Sequence, residues 1–330
     1  MKKTFFVLFM ALFFAAVVFA QPQTEEALTV YAYDSFLGEW GPGEGIVEAF
    51  EKATGIKVNL VGVDGAVELY SKVLYEGEAC PADIVLGLSD TMNVDSSIFV
   101  NWKPSCEEDL AVPSKDGLIP FDYGIFAFIG DTEYFKTHQM PTSLEDLTKS
   151  EYKDKVILID PRTSSVGLGL LTWTIEALGE EKAFQWWKDM SSNALTIGSS
   201  WSSSYGLFTE GEAPLVISYT TSPIYHVMYE DTTRFQALEF TNGHIQTIEY
   251  MGILKSSKNV EKAKAFIEFI LTEGQEDIAV CNTMFPSNTK VELPDAFQYA
   301  LKTSVLSYDT EELNNNMSSY LDRWALVMVK

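Results

Sequence analysis

Seven side chains suited to holding a flat, positively charged molecule fall at the ends of segments that read as β-strands. They are the rings of Tyr33, Trp40, Trp201, Tyr219 and Tyr225 and the carboxylates of Asp34 and Asp64. A loop offers little surrounding core, so five large rings in such places are poorly explained by packing alone. An aromatic face attracts a cation by about 0.5–2 kcal/mol per ring. A carboxylate about 4 Å from a unit charge adds up to ~4 kcal/mol at an effective dielectric of 20, before desolvation is subtracted. Rings and acids together point to a flat cation as ligand.

The stretch "RTSSVGLG" opens a helical segment with hydroxyls and glycines. Free N–H groups at a helix N-terminus bind anions, so Thr163, Ser164 and Ser165 are candidates for a phosphate or hydroxyl. The plainer role is N-capping by one of those hydroxyls. Ser202, beside Trp201, is a further possible contact.

Signals for catalysis are weak. His138, His226 and His244 are scattered, and no pair has metal-ligand spacing. G-x-S-x-G is missing, and "GPGEG" does not keep the G-x-G-x-x-G spacing of a nucleotide fingerprint. Cys80, Cys106 and Cys281 are too few, and odd in number, for a disulfide framework. A lone Cys is more often an inert buried residue than a nucleophile. The expectation is therefore no catalytic residue, no cofactor and no metal.

The elements that must position these residues alternate between strand and helix. "LTVYAY" precedes a helix at "GIVEAFEKATG", with Ile46, Val47 and Phe50 at helical spacing and Gly55 as the stop. "KVNLVGV", the helix "AVELYSKVLYEG" and the strand "ADIVLGL" follow. This βαβαβ order implies an α/β fold with a parallel sheet. After the buried strand "IPFDYGIFAFIGD", a second α/β block reads as a capped helix "SLEDLTKSEY", the strand "KVILIDP" and helices at "GLGLLTWTIEAL" and "EKAFQWWKDM". The strands "ALTIGSS" and "APLVISYT" flank a helix around "YGLFTEGE". A long strand "HIQTIEYMGIL" and an amphipathic helix "NVEKAKAFIEFILTEG" complete it. Ligands of open parallel sheets sit beyond the carboxyl ends of the strands. Two such sheets facing each other make a cleft.

The first twenty residues read as a leader: Lys2 and Lys3, an apolar stretch Phe5–Val18, and small residues up to a cleavage point after Ala20. No Cys follows it, so a lipoprotein anchor is not expected. The 330 residues suffice for about two domains. A net charge of −24 argues against nucleic acid, whose phosphates need a basic footprint, and favours cations.

The stretches "LTVYAYDSFLGEWGPG", "PADIVLGL", "PFDYGIFAF", "DPRTSSVGLGLLTW", "WSSSYGLF" and "SYTTSPIYH" together resemble the periplasmic thiamine-binding proteins of ABC transporters. The resemblance implies a two-lobed type II periplasmic-binding-protein fold with a ligand cleft between lobes, and delivery of thiamine or thiamine phosphate to an ABC permease. It implies a periplasmic monomer. Residues 21–122 would begin lobe 1, 123–240 form lobe 2, and 241–330 return to lobe 1 with the C-terminal helices. Crossing strands are expected near Phe121–Tyr123 and Phe240–Thr247. By the same resemblance Tyr225 stacks on the ligand, and Tyr33, Trp40, Trp201 and Tyr219 line the pocket. Asp64 meets the pyrimidine end, and Ser164 the hydroxyl or phosphate end. One position departs: Thr283, in "CNTMFPS", stands where the family pattern has a tryptophan, and Phe285 is the candidate substitute wall.

Two alternatives remain at this point. One is a thiaminase-like enzyme on the same fold, with Cys106 as the thiol to test. The other is a receptor for another cation such as a polyamine.

Overall fold

Leu28, Val30 and Ala32 point into one core and Tyr31 into another. That period-2 alternation makes "LTVYAY" a strand buried on both faces. A computed structural model describes residues 27–329, so the leader lies outside the described residues. The chain runs β1 (Leu28–Tyr33), a single turn α1 (Asp34–Leu37), α2 (Gly43–Thr54), β2 (Val58–Val63), α3 (Ala66–Glu76) and β3 (Ile84–Ser89). The long β4 (Ile119–Asp131) and short α4 (Thr132–Phe135) lead to β5 (Val156–Ile159), α5 (Ser165–Leu178) and α6 (Glu180–Asn193). Next come β6 (Thr196–Gly198), α7 (Trp201–Thr209), β7 (Leu215–Tyr219), α8 (Pro223–Tyr229) and β8 (Phe235–Ala237). β9 (His244–Ile253), α9 (Val260–Leu271), α10 (Gln275–Asp277), β10 (Phe285–Pro286), β11 (Val305–Leu306) and α11 (Thr310–Met328) finish the fold.

The main sheet order is β2-β1-β3-β9-β4-β7-β5-β6. β1 lies parallel to both β2 and β3, as the βαβαβ order requires. In the second half β5 is parallel to both β6 and β7. Two lobes therefore share one path, and β4 joins them. Its first half, Ile119–Ile125, pairs with β9, and its second half, Phe126–Gly130, pairs with β7.

Each lobe has its own packing logic. In the first, Ile46 and Phe50 of α2 and Phe266, Ile267 and Ile270 of α9 cover one sheet face, with the Phe50 and Phe266 rings 4.9 Å apart. In the second, α5 is buried from Val166 to Ile175, which suits a helix apolar all round. Gly169 lets it lie on β4: a β-carbon there would stand 2.1 Å from the Phe126 ring. α11 packs on α6, where the Trp324 and Trp187 rings are 5.7 Å apart and Arg323 pairs with Glu180 and Glu181.

The segment "SLEDLTKSEY" is not the capped α-helix expected from its pattern. It forms two 3₁₀ turns, Glu145–Thr148 and Ser150–Tyr152. Ser143 Oγ accepts from Asp146 N at 3.2 Å in the manner of an N-cap, but Lys149 is extended, at φ −68° and ψ 150°, and ends the run. Leu144, Leu147 and Tyr152 are all buried.

Candidate functional site

The carboxyl ends of β1, β2, β5, β6 and β7 converge on a cleft with about 560 Å³ of open space, including its mouth. Tyr33 ends β1 and Asp64 follows β2. Ser164 and Ser165 start α5, Trp201 starts α7, and Tyr219 ends β7; all six line the cleft, and so does Asp34.

Tyr33 is buried, and its hydroxyl donates to Glu249 Oε2 at 2.9 Å while accepting from Asn282 Nδ2 at 3.2 Å. Burial, followed by the charges of Glu249 and Asp122, pushes its phenol well above the usual range. The ring lies over a bulge in β3 where Gly87 has φ +102°. A β-carbon on Gly87 would sit 2.0 Å from the Tyr33 ring, so only glycine gives the ring that place. Tyr219 stacks on Phe126 at 5.0 Å. Trp201 stacks on Tyr205 at 4.9 Å and donates its indole N–H to Ser218 Oγ at 2.7 Å. Burial raises the Asp34 carboxyl, while a hydrogen bond from Ser202 opposes the rise.

Ser164 is the N-cap of α5, its Oγ accepting from Val166 N at 3.2 Å. Thr163 does not line the cleft; its hydroxyl donates to Ser199 O at 2.6 Å. Ser202 touches the site through Asp34 rather than by lining it. Trp40 and Tyr225 are likewise outside the lining. Their rings meet each other at 5.7 Å and 55°, one from each lobe, with Trp40 58% exposed. Thr283 lines the cleft in the left-handed region, at φ 49°, an uncommon place for a β-branched residue. Phe285 turns away and stacks on Tyr123 at 5.3 Å. Met284 supplies the wall in its place, a soft side chain that packs well against rings.

The sequence pattern did not single out Glu249, Asn282, Met284, Ser35 or Ser222, all of which line the cleft. A usable signal existed for Glu249: a lone acid inside an apolar strand pattern. The described residues of the lining include Asp34, Asp64 and Glu249 and no Lys, Arg or His. Such a wall attracts cations. Cys106 is outside it, and burial together with Glu268, Asp109 and Glu107 pushes its thiol up. All three cysteines are free thiols.

The lobes touch. A β-carbon on Gly65, after β2, would stand 2.4 Å from the Thr163 carbonyl oxygen, before α5. With the Trp40–Tyr225 contact and the Ser202–Asp34 hydrogen bond, this is a closed cleft.

Comparison with known proteins gives the same architecture. Residues 43–277 match the family model described as bacterial extracellular solute-binding protein. The chain is 37% identical to the thiamine-binding periplasmic protein of Brucella melitensis over 310 residues, 92% of each. It is 36% identical to the thiamine-binding periplasmic protein of Escherichia coli over 316 residues, 94% of each. The solved structure of a periplasmic thiamin binding protein superposes with a TM-score of 0.87 at 34% identity, covering 94% of this chain and 98% of the other.

Proposed function

The chain belongs to the bacterial extracellular solute-binding protein family, and on that premise we propose that it is a receptor capturing thiamine between its lobes for an ABC permease. The observation that carries the reading is the cleft wall, in which Tyr33, Trp201 and Tyr219 stand among three carboxylates with no basic side chain among the described lining residues. Thiamine has a flat aminopyrimidine, a fixed thiazolium charge and a hydroxyethyl tail. In this reading the rings flank the flat groups and Asp64 meets the pyrimidine. Ser164 and Ser165, at the first turn of α5, receive the hydroxyl or phosphate of the tail. Trp40 and Tyr225 close over the mouth. Ligand binding holds the lobes together by its greater affinity for the closed state.

The receptor acts as a monomer in the periplasm after its leader is removed following Ala20. It is not an enzyme in this reading; the position of Cys106 outside the cleft wall supports that. Calorimetric titration of the mature protein with thiamine, and separately with its monophosphate and spermidine, tests the proposal. Saturable one-to-one heat with thiamine, and thiamine recovered unchanged after long incubation, is the expected result. No heat with thiamine overturns it, and heat with spermidine alone makes it a polyamine receptor.

A further inference from the structure

Behind the aromatic wall lies a buried pair of acids with no hydrogen bond or ion pair to a basic side chain among the described residues. Asp122 on β4 and Glu249 on β9 are directly opposite in the antiparallel ladder, so their side chains leave the sheet on the same face. They are 0% and 7% exposed. Glu249 reaches the cleft wall. Asp122 Oδ2 accepts from Asn282 Nδ2 at 2.7 Å, and the buried Oδ1 has no hydrogen-bond partner among the described residues.

The groups around the pair are acidic or neutral. Tyr33 of β1 donates to Glu249, and Asn282 bridges Tyr33 and Asp122. Asp90, after β3, repels Glu249, and Tyr219 of β7 feels both acids. Asp34 and Asp64 line the same cleft. On β9 itself, His244 uses its ring nitrogens on Phe240 N and Phe126 O. Two buried carboxylates this close, without a counter-charge, do not both ionise. Burial drives both upward, Glu249 to about 7; the Glu249 charge further opposes ionisation of Asp122, and Asp90 that of Glu249.

We infer that the Asp122–Glu249 pair is the seat of the ligand's positive charge and that it releases a proton to solvent when a fixed cation enters the cleft. The inference rests on the receptor reading. One carboxyl O–H bond breaks, the proton passes to buffer, and the cation takes its place as counter-charge. No bond to the ligand forms. A thiazolium keeps its charge around neutral pH, so below neutrality each capture exchanges one proton for one fixed charge.

Titration with thiamine from pH 5.5 to 8.5, at each pH in two buffers of different ionisation heat, reads this directly. Below neutrality the wild-type protein is expected to release close to one proton per thiamine. Its affinity should rise about tenfold per pH unit up to about pH 7 and then level. Glu249→Gln should bind at least tenfold more weakly at pH 8, with no proton release and no slope. Asp122→Asn is a second route to the same loss. Buffer-independent heats and a flat affinity in the wild type overturn the inference while leaving the receptor intact. Proton release that persists in Glu249→Gln also overturns it. Absence of any saturable heat is the failure of the receptor reading itself and takes the inference with it.

Discussion

Gly65 and Thr163 approach so closely across the cleft that a β-carbon on Gly65 would stand 2.4 Å from the Thr163 carbonyl oxygen. Gly65 itself has φ −147°, an extended backbone open to any residue. The demand for glycine therefore comes from closure and not from the local turn. Gly65→Ala should leave the melting temperature nearly unchanged and weaken thiamine binding at least tenfold, since only the closed state is penalised. Small-angle scattering should show that thiamine no longer compacts the variant. Wild-type affinity in Gly65→Ala would mean that the ligand is held with the lobes further apart.

Trp40 and Tyr225 meet ring to ring at 5.7 Å from opposite lobes. If that contact latches the mouth, Trp40→Ala and Tyr225→Ala each raise the thiamine dissociation rate, by roughly three- to tenfold, and the double variant loses less than the sum. The coupling in a double-mutant cycle is expected at ~0.5–1.5 kcal/mol. Strict additivity would remove the latch.

Glu249 titrates at about 7 in the fold against an ordinary 4.5. The native state thus holds the proton longer than the unfolded chain, and the group's stabilisation is complete below about pH 4.5 and lost as pH rises through about 7. Its contribution over that window is on the order of 3–4 kcal/mol. His226 and His244 are both depressed by burial and act with the opposite slope just below pH 6.5. The difference between wild type and Glu249→Gln isolates the acid: ligand-free, the variant should gain melting temperature relative to wild type as pH rises from 5 to 8. A constant difference across that range would contradict the assignment.

Gly87 carries the Tyr33 ring at a distance no side chain allows, with φ +102°. Gly87→Ala should cost more than ~2 kcal/mol through backbone strain and the displaced ring, and thiamine binding should fall with it. Adding Tyr33→Ala is expected to recover part of the melting temperature and none of the binding. Recovery of binding would show that the ring has no ligand role.

Much of this arrangement was legible in the chain. Leu28, Val30 and Ala32 alternate and Ile46 and Phe50 repeat at helical spacing because the elements they form are core elements. Strand ends lead to a cleft in parallel sheets, which is why Tyr33, Asp64, Ser164, Trp201 and Tyr219 meet in one wall. Glu249 escaped notice because alternation along "HIQTIEYMGIL" sends acids to solvent. β9 is instead buried along nearly its whole length, and Tyr33 covers Glu249. Asn282 ends, and Met284 follows, a short π-helical turn, Ile278–Asn282, that no simple periodicity marks. Phe285 was the obvious ring near Thr283, yet pairing of β10 with β4 sets it against Tyr123.

Leu313, Met317 and Trp324 of α11 complete a core whose other walls, Phe184 and Trp187 among them, were laid down well over a hundred residues earlier. A chain that emerges N-terminus first cannot seal this lobe until its last helix arrives. Until then Trp187 lacks the ring that closes over it, and Glu180 and Glu181 lack Arg323. That side of the second lobe therefore stays open until residues 310–328 are in place.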